Sequence, residues 1–116
     1  TELMRQQGVA GNIPDEHITV RSERKNRQIK LNDILFLESM ADYVKIVLNS
    51  GEIVITREKI SALHARLTDK FLRIHRSFVV NRDRLESYNR EEVTIGNKEL
   101  PVSRTYKKEF LSRMGQ

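Results

Sequence analysis

Cysteine and tryptophan are absent from the 116 residues, which also contain only two prolines and five glycines. Without cysteine the chain has no disulfide, no thiolate metal site and no cysteine nucleophile, and a reducing compartment is favoured. No apolar run approaches the length of about 18 residues that a membrane helix needs. We therefore expect this piece of the protein to be cytoplasmic and to have no membrane partner.

The pattern of residue types that an enzyme needs is also missing. His17, His64 and His75 are scattered, and none stands at metal-ligand spacing from another histidine or a carboxylate. No Gly-rich phosphate loop, nucleophile elbow or zinc-binding helix motif is present. We therefore expect no catalysis, no metal and no cofactor.

Length and charge point to one basic domain. The chain has 21 Lys and Arg against 16 Asp and Glu, a net charge of +5. Residues 1–56 hold 7 basic and 8 acidic side chains, whereas residues 57–116 hold 14 and 8, so the positive surplus lies in the second half. A basic balance of this kind favours an anionic partner.

The first residues differ from the rest in composition. Residues 1–16 include Gln6, Gly8, Gly11 and Pro14 and have few large apolar groups, which is typical of a linker. The chain starts at Thr1 without Met, so we expect a fragment of a longer protein. We predict a linker from a missing upstream module over residues 1–16 and a domain over residues 17–116.

Short alternating runs predict antiparallel strands. Residues 18–20 and 29–31 alternate around a polar turn at 22–26, and residues 43–48 and 52–56 flank Asn49, Ser50 and Gly51 as the clearest hairpin. Residues 34–37 form a continuous apolar run, which indicates a strand buried on both faces. Further strands are predicted at 71–74, 78–80, 85–88, 92–95 and 99–102, with a turn at Gly96 and Asn97.

Two segments have the helical period instead. Ile60, Leu63, His64 and Leu67 predict an amphipathic helix over residues 57–67, in which a satisfied, partly buried His64 is favoured over a metal ligand. Residues 106, 110 and 114 predict a short terminal helix that begins after Ser103 as N-cap.

The basic residues form clusters with different interpretations. Arg21, Arg24, Lys25, Arg27 and Lys30 surround the first hairpin, where a solvated strand face is favoured over nonspecific phosphate contact. Residues 73–77 place Arg73, His75, Arg76 and Ser77 at a strand break, where DNA contact and surface ion pairing are equally favoured. Arg104, Lys107 and Lys108 share one face at the start of the last helix, where they oppose the macrodipole unless an anion binds.

Several ordered motifs run through most of the chain. They are Ile34-Leu-Phe-Leu-Glu-Ser39, Tyr43-Val-Lys45, Leu63 and Leu67 of the helix, Phe71-Leu-Arg-Ile-His-Arg-Ser77, Val79-Val-Asn81 and Leu100-Pro-Val-Ser-Arg104. This series resembles the LytTR family of DNA-binding domains, commonly the output halves of bacterial response regulators. The resemblance implies a mainly β fold of about ten short strands in stacked antiparallel sheets with two short helices.

The resemblance also implies how the chain binds double-stranded DNA. Loops rather than one recognition helix would enter successive major grooves, with base contacts from Arg76, Arg104 and either Asp42 or Tyr43. Backbone contacts would come from a wider polar set, and His75 and Asn81 would support a loop or contact DNA. The backbone set is Lys45, Arg73, Ser77, Arg82, Ser103, Lys107 and Lys108.

The implied partners extend beyond this chain. The resemblance implies repeated DNA half-sites, a possible dimer on DNA, and an N-terminal receiver or sensor domain in the full-length protein of a two-component system. A basic protein-interaction module that docks an acidic partner is the alternative, and it would bind polyanions without sequence preference. RNA binding is disfavoured because most of the seven Phe and Tyr residues are needed for the core.

Overall fold

The computed structural model describes residues 16–115, which form ten strands and two α-helices. Every strand pair is antiparallel, so the expected mainly β fold with about ten strands and two short helices is confirmed. The strands are β1 (His17–Ser22), β2 (Lys25–Lys30), β3 (Ile34–Met40), β4 (Tyr43–Leu48), β5 (Ile53–Thr56), β6 (Phe71–His75), β7 (Phe78–Asn81), β8 (Ser87–Tyr88), β9 (Glu92–Ile95) and β10 (Lys98–Pro101); the helices are α1 (Ile60–His64) and α2 (Arg104–Arg113). Residues 1–15 of the predicted linker lie outside the described residues.

Three sheets stack around two cores. A five-stranded sheet in the order β5-β4-β3-β7-β6 lies between the β1–β2 hairpin and a three-stranded sheet in the order β10-β9-β8. One core joins the hairpin and α1 to the central sheet, and the other joins the three-stranded sheet and α2 to its opposite face. Each fully buried large apolar side chain in these cores contributes roughly 1.5–3 kcal/mol.

Strand β3 is buried on both faces, as its apolar run predicts. Ile34 and Leu37 belong to the first core, whereas Phe36 belongs to the second. The pairing of β3 with β4 shifts register between Ile34 and Phe36, so a bulge interrupts the simple alternation of side chains. A central strand therefore anchors both cores of the domain.

The first hairpin is tighter than predicted. Ser22 pairs with Lys25, which leaves a two-residue turn at Glu23 and Arg24. Both turn residues have positive φ, 52° and 68°, as in the type I′ turns that match the twist of a hairpin. The second hairpin, β4–β5, agrees with its prediction, and Gly51 in its turn has a φ of 96° that favours glycine.

The first helix is shorter than predicted. Thr56 still pairs with Val44, and the backbone remains extended at Lys59, so α1 begins only at Ile60. At its other end, Arg66 N–H donates to the Leu63 carbonyl, and the resulting i to i−3 bond tightens and ends the helix. The predicted span of 57–67 was therefore too long at both ends.

One strand prediction needs correction. Strand β8 contains only Ser87 and Tyr88, because Arg82–Arg84 form a 3-10 turn and Leu85 follows it. Ser103 occupies the predicted N-cap position of α2, but its Oγ makes no capping hydrogen bond.

Neither helix in the described part of the chain is long and apolar enough to cross a membrane.

Candidate nucleic-acid interface

Two turns lie side by side at one end of the five-stranded sheet. Residues 41 and 42 connect β3 to β4, and residues 76 and 77 connect β6 to β7. Glu38 pairs with Phe78, and Ser39 N–H donates to the Ser77 carbonyl over 2.8 Å. We call this end of the sheet, with its 41–42 and 76–77 turns, the loop end.

The start of α2 joins the same end. Ser103 N–H donates to the carbonyl of Ile74 over 2.8 Å, which places Arg104 beside the end of β6. Helix α2 packs along β6 and buries Phe110, whose ring meets Tyr88 edge-on with 5.6 Å between centroids. The loop end therefore carries three of the segments for which the sequence predicts DNA contacts.

The size of the loop end follows from strand spacing. Neighbouring strands lie about 4.8 Å apart, so the two turns are roughly 10 Å apart and the five strands span roughly 19 Å. The major groove of B-DNA is about 12 Å wide. The loop end is therefore wider than a single major groove.

The 76–77 turn is held by side chains from its own hairpin. Arg73 Nε donates to the His75 carbonyl over 2.8 Å, and Arg73 Nη2 donates to the Arg76 carbonyl over 2.6 Å. His75 Nδ1 accepts a hydrogen bond from Ser77 N–H over 3.0 Å. The Arg76 side chain is exposed on this braced turn.

Arg73 also connects that turn to the last helix. Its guanidinium lies 5.3 Å from the ring centroid of Tyr106 in α2, within the range of a cation–π contact. The same half-buried side chain thus contacts two of the three segments. The sequence predicted a phosphate contact for Arg73, and in the structure two of its N–H donors bind main-chain carbonyls.

The 41–42 turn contains a charge pair. The Asp42 carboxylate lies 3.7 Å from Arg57, the residue that follows β5, and both side chains are largely exposed. The Arg57 guanidinium is 5.7 Å from the ring centroid of Tyr43, which is 43% exposed. Lys45, two residues further along β4, is half-buried and pairs across the sheet with Glu38.

Cations gather at the first turns of α2. Arg104, Lys107 and Lys108 line an open groove of about 700 Å³ together with Arg90, which precedes β9. Lys107 Nζ lies 3.3 Å from Glu91 and ties that loop to the helix. Arg90, Arg104 and Lys108 form no ion pair with a carboxylate in residues 16–115. Sequence reasoning missed Arg90 because only the tertiary fold brings it to α2.

The LytTr DNA-binding domain model matches residues 24–115, which is most of the chain. The chain belongs to the LytTR family. It is 31% identical over 80 residues to the positive alginate biosynthesis regulatory protein of Pseudomonas aeruginosa, a match that covers 69% of this chain and 32% of that protein. The chain thus spans about a third of the length of this curated relative.

A solved LytTr DNA-binding domain from Bacillus cereus has the same fold as this LytTR domain. The two superimpose with a TM-score of 0.73 at 19% sequence identity, over 86% of this chain and 97% of the other. At this identity the likeness concerns the fold alone.

Two residues of the predicted site, Asn81 and Arg82, lie at the opposite end of the five-stranded sheet, which we call the far end. Asn81 of this LytTR domain is fully buried, and its Nδ2 donates to the Ile34 carbonyl over 2.8 Å while its Oδ1 accepts from Asp83 N–H over 3.0 Å. Arg82 follows directly and starts the 3-10 turn. Because β7 rises about 3.3 Å per residue, both lie on the order of 13 Å from the 76–77 turn.

Ser103 and His64 are both partly buried. Ser103 Oγ is buried without a hydrogen-bond partner, so this hydroxyl is not presented at the surface. His64 is half-buried, and its Nε2 lies 2.8 Å from the Phe71 carbonyl, which confirms the satisfied histidine predicted on the helix stripe. Among residues 16–115, no cluster of three or more His, Asp and Glu side chains is arranged to hold a metal ion.

Proposed function

We propose that this LytTR domain recognises the sequence of double-stranded DNA with its loop end, as the DNA-binding part of a bacterial transcriptional regulator. The observation that carries the proposal is the convergence of the 41–42 turn, the 76–77 turn and the start of α2 on one rigid support. Side chains that a rigid scaffold presents on turns are well suited to contact a partner. The role of this end is therefore binding rather than catalysis.

Arg76 and Arg104 are the proposed base-reading residues. An arginine fork matches the O6 and N7 acceptors of guanine in the major groove. Both side chains are exposed and have no carboxylate partner within residues 16–115, so their donors are available to a base edge. The braced 76–77 turn limits the loss of backbone freedom that binding would otherwise require.

The 41–42 turn supplies the third proposed base contact, from Asp42 or Tyr43. A carboxylate close to phosphates is repelled by them, and the neighbouring Arg57 offsets part of that repulsion. Tyr43 is half-exposed beside the pair and can contact either a base or a sugar. As the family resemblance implies, the turns and the start of α2 would enter successive major grooves of the duplex.

Phosphate contacts are proposed for Lys45, Ser77, Lys107 and Lys108. A lysine is a flexible point charge, which suits a phosphate better than the geometry of a base edge. Arg73 and His75 are instead assigned to holding the 76–77 turn, and Asn81 to the far end. Ser103 is left out of the proposed contacts because its hydroxyl is buried. Arg82 is left out because it follows β7 at the far end.

In the full-length protein we propose an upstream receiver or sensor domain that controls the pairing of two copies on repeated half-sites. The polar composition of residues 1–16 and the third of the relative's length that this chain spans support a multidomain parent. Two-fold or tandem pairing would double the number of base contacts without enlarging the single domain.

The test is selection of the domain on a randomised duplex library, followed by binding of the winning site and a scrambled duplex at two salt concentrations. Enrichment of a motif, with a preference that survives higher salt, is the expected result. Binding without enrichment that disappears as salt rises would contradict sequence recognition. Stronger binding to an acidic protein surface than to any duplex would favour the docking alternative.

A further inference from the structure

An open groove separates the tip of the β1–β2 hairpin from the edge strand β5. Its volume is about 700 Å³, and its walls include Arg21 and Arg24 from the hairpin, Ile53 and Ile55 from β5, and Tyr43 and Arg57 from the loop end. The sequence alone favoured a solvated strand face for the hairpin cations. The groove places this hairpin next to the residues proposed to contact DNA.

The rim of the groove is positively charged. Arg21 and Arg24 are exposed and have no ion pair with a carboxylate of the described chain. Glu58, on the same rim, is already bound by Arg66 over 2.9 Å. Glu23 contributes one exposed carboxylate, which leaves the two hairpin arginines in excess.

The floor of the groove is apolar. Ile53 and Ile55 are 50% and 46% exposed, and they lie on the same face of an edge strand, two residues apart. Proteins usually shield exposed apolar edge strands, because these invite association. An apolar floor beneath a cationic rim matches a sugar–phosphate backbone, whose deoxyribose is apolar on its faces and whose phosphates are anionic.

The hairpin tip is held in place. Ile18 and Val20 of β1 are buried in the first core, and Arg66 donates a hydrogen bond to the Thr19 carbonyl. The two-residue turn with positive φ keeps Ser22 paired with Lys25 up to the tip. Arg21, next to last in β1, and Arg24, in the turn itself, thus project from a fixed backbone.

The groove is continuous with the loop end. Arg57 contacts both the Tyr43 ring and Asp42, so the 41–42 turn forms one side of the groove. The hairpin flanks β5 at one margin of the sheet, and α2 flanks β6 at the other. Since the five strands alone span roughly 19 Å and a major groove is about 12 Å wide, elements at both margins reach the backbone that borders a groove.

We infer that the hairpin tip, through Arg21 and Arg24, is a fourth DNA-contacting element that binds backbone phosphates on the flank of the site opposite α2. This inference rests on the proposed function and extends it to residues outside the three loops. Ile55 and Tyr43 pack against deoxyribose in the same contact. The hairpin adds affinity without reading bases, because phosphate contacts carry no sequence information.

The test compares two double variants of the full chain that lose the same charge. The first is Arg21→Gln with Arg24→Gln, and the control is Lys30→Gln with Arg82→Gln, two exposed cations at the far end. Binding to the selected and the scrambled duplex is measured over a series of salt concentrations. Thermal unfolding verifies that both variants fold.

The hairpin variant should reduce the slope of log K against log salt by about two on both duplexes, since each lost phosphate contact removes about 0.9. Hydroxyl-radical footprinting should lose protection on one flank only. The control variant should keep the wild-type slope and footprint. If the hairpin variant behaves like the control while the wild type keeps its sequence preference, this inference is wrong and the proposed function stands. A wild type without sequence preference overturns the proposed function, and the inference with it.

Discussion

The two ends of the central sheet use polar side chains in opposite ways. At the far end, Asn81 is buried on main-chain partners, Arg84 Nε donates to the Asn32 carbonyl over 2.8 Å, and Lys70 lies 3.7 Å from Asp83. At the loop end, Arg76 and Arg104 are exposed and have no carboxylate partner in residues 16–115. Polar groups at the far end stabilise the fold, whereas these two arginines at the loop end are available to a ligand.

The ion pair between Arg27 and Glu52 is a further example of charged groups that are paired within the fold. Arg27 forms a two-pronged contact with Glu52 of the β4–β5 turn, with both N–O distances at 2.6 Å. The hydrogen bonds from Arg27 hold the pKa of the Glu52 carboxyl below its ordinary value. The pair is exposed, so it satisfies charge locally and adds little to stability.

The largest expected effect concerns the far end. Asn81→Ala leaves the buried Ile34 carbonyl without this partner, at a cost of about 1–3 kcal/mol, and also removes the part-buried hydrogen bond from Asp83 N–H. We expect denaturant unfolding to report a loss of about 3 kcal/mol, with sequence preference retained by the folded protein. Asn26→Ala on the exposed face of β2 is the control and should cost less than about 0.5 kcal/mol. Equal losses would show that the far end has no special structural role.

The second effect concerns base reading at the loop end. Arg76→Ala and Arg104→Ala should each weaken binding to the selected duplex by about 1–3 kcal/mol and change binding to a scrambled duplex little. Stability should not change, because both side chains are exposed. Parallel losses on the two duplexes would contradict base reading and reassign the residue to phosphate.

The third effect concerns Arg73, which holds the 76–77 turn in place. Arg73→Lys keeps the positive charge but loses the fork that binds the His75 and Arg76 carbonyls. We expect a stability loss of about 1 kcal/mol and a weaker preference for the selected duplex, with scrambled binding unchanged. If the lysine variant matched wild type on both duplexes, the position of the 76–77 turn would not depend on Arg73.

The smallest expected effect concerns a single phosphate contact. Lys108→Ala should weaken binding to every duplex alike and make the salt slope shallower by about one. The matched control is Lys98→Ala, which removes an exposed lysine at the start of β10. The neighbouring 96–97 turn lies against Leu35, near the start of β3 and so away from the loop end. The same change in slope for both variants would indicate a general charge effect instead of a contact.

Much of the fold could be predicted because its signals are local. Alternation identifies β4 and β5, and the unbroken apolar run of β3 indicates burial on both faces. The error at α1 arose because Arg57 and Glu58 fit a helical period while Thr56 is still held in the sheet by Val44. Pairing of Thr56 in the sheet outweighed the local preference for helix.

The candidate site was predicted less completely. Arg76 and Arg104 were singled out by their basic clusters and then by the resemblance, but their exposure and their nearness depend on contacts between distant segments. Arg82 was predicted as a DNA backbone contact on the basic face, and the structure places it at the far end, after the four residues of β7. Arg90 carries no local signal that links it to the site, and for the hairpin arginines the sequence favoured a solvated strand face over phosphate contact.

By itself, the sequence determined the class of elements, their approximate order and the basic surplus, since side-chain period and composition are properties of the chain. Only the tertiary structure decided which turns share an end of the sheet. The pairing of residues 36–38 with 78–80 and the bond from Ser103 to Ile74 join segments far apart in sequence. A periodic pattern states that a strand has an inner face and does not state which strand lies beside it, so the loop end exists only once those pairs have formed.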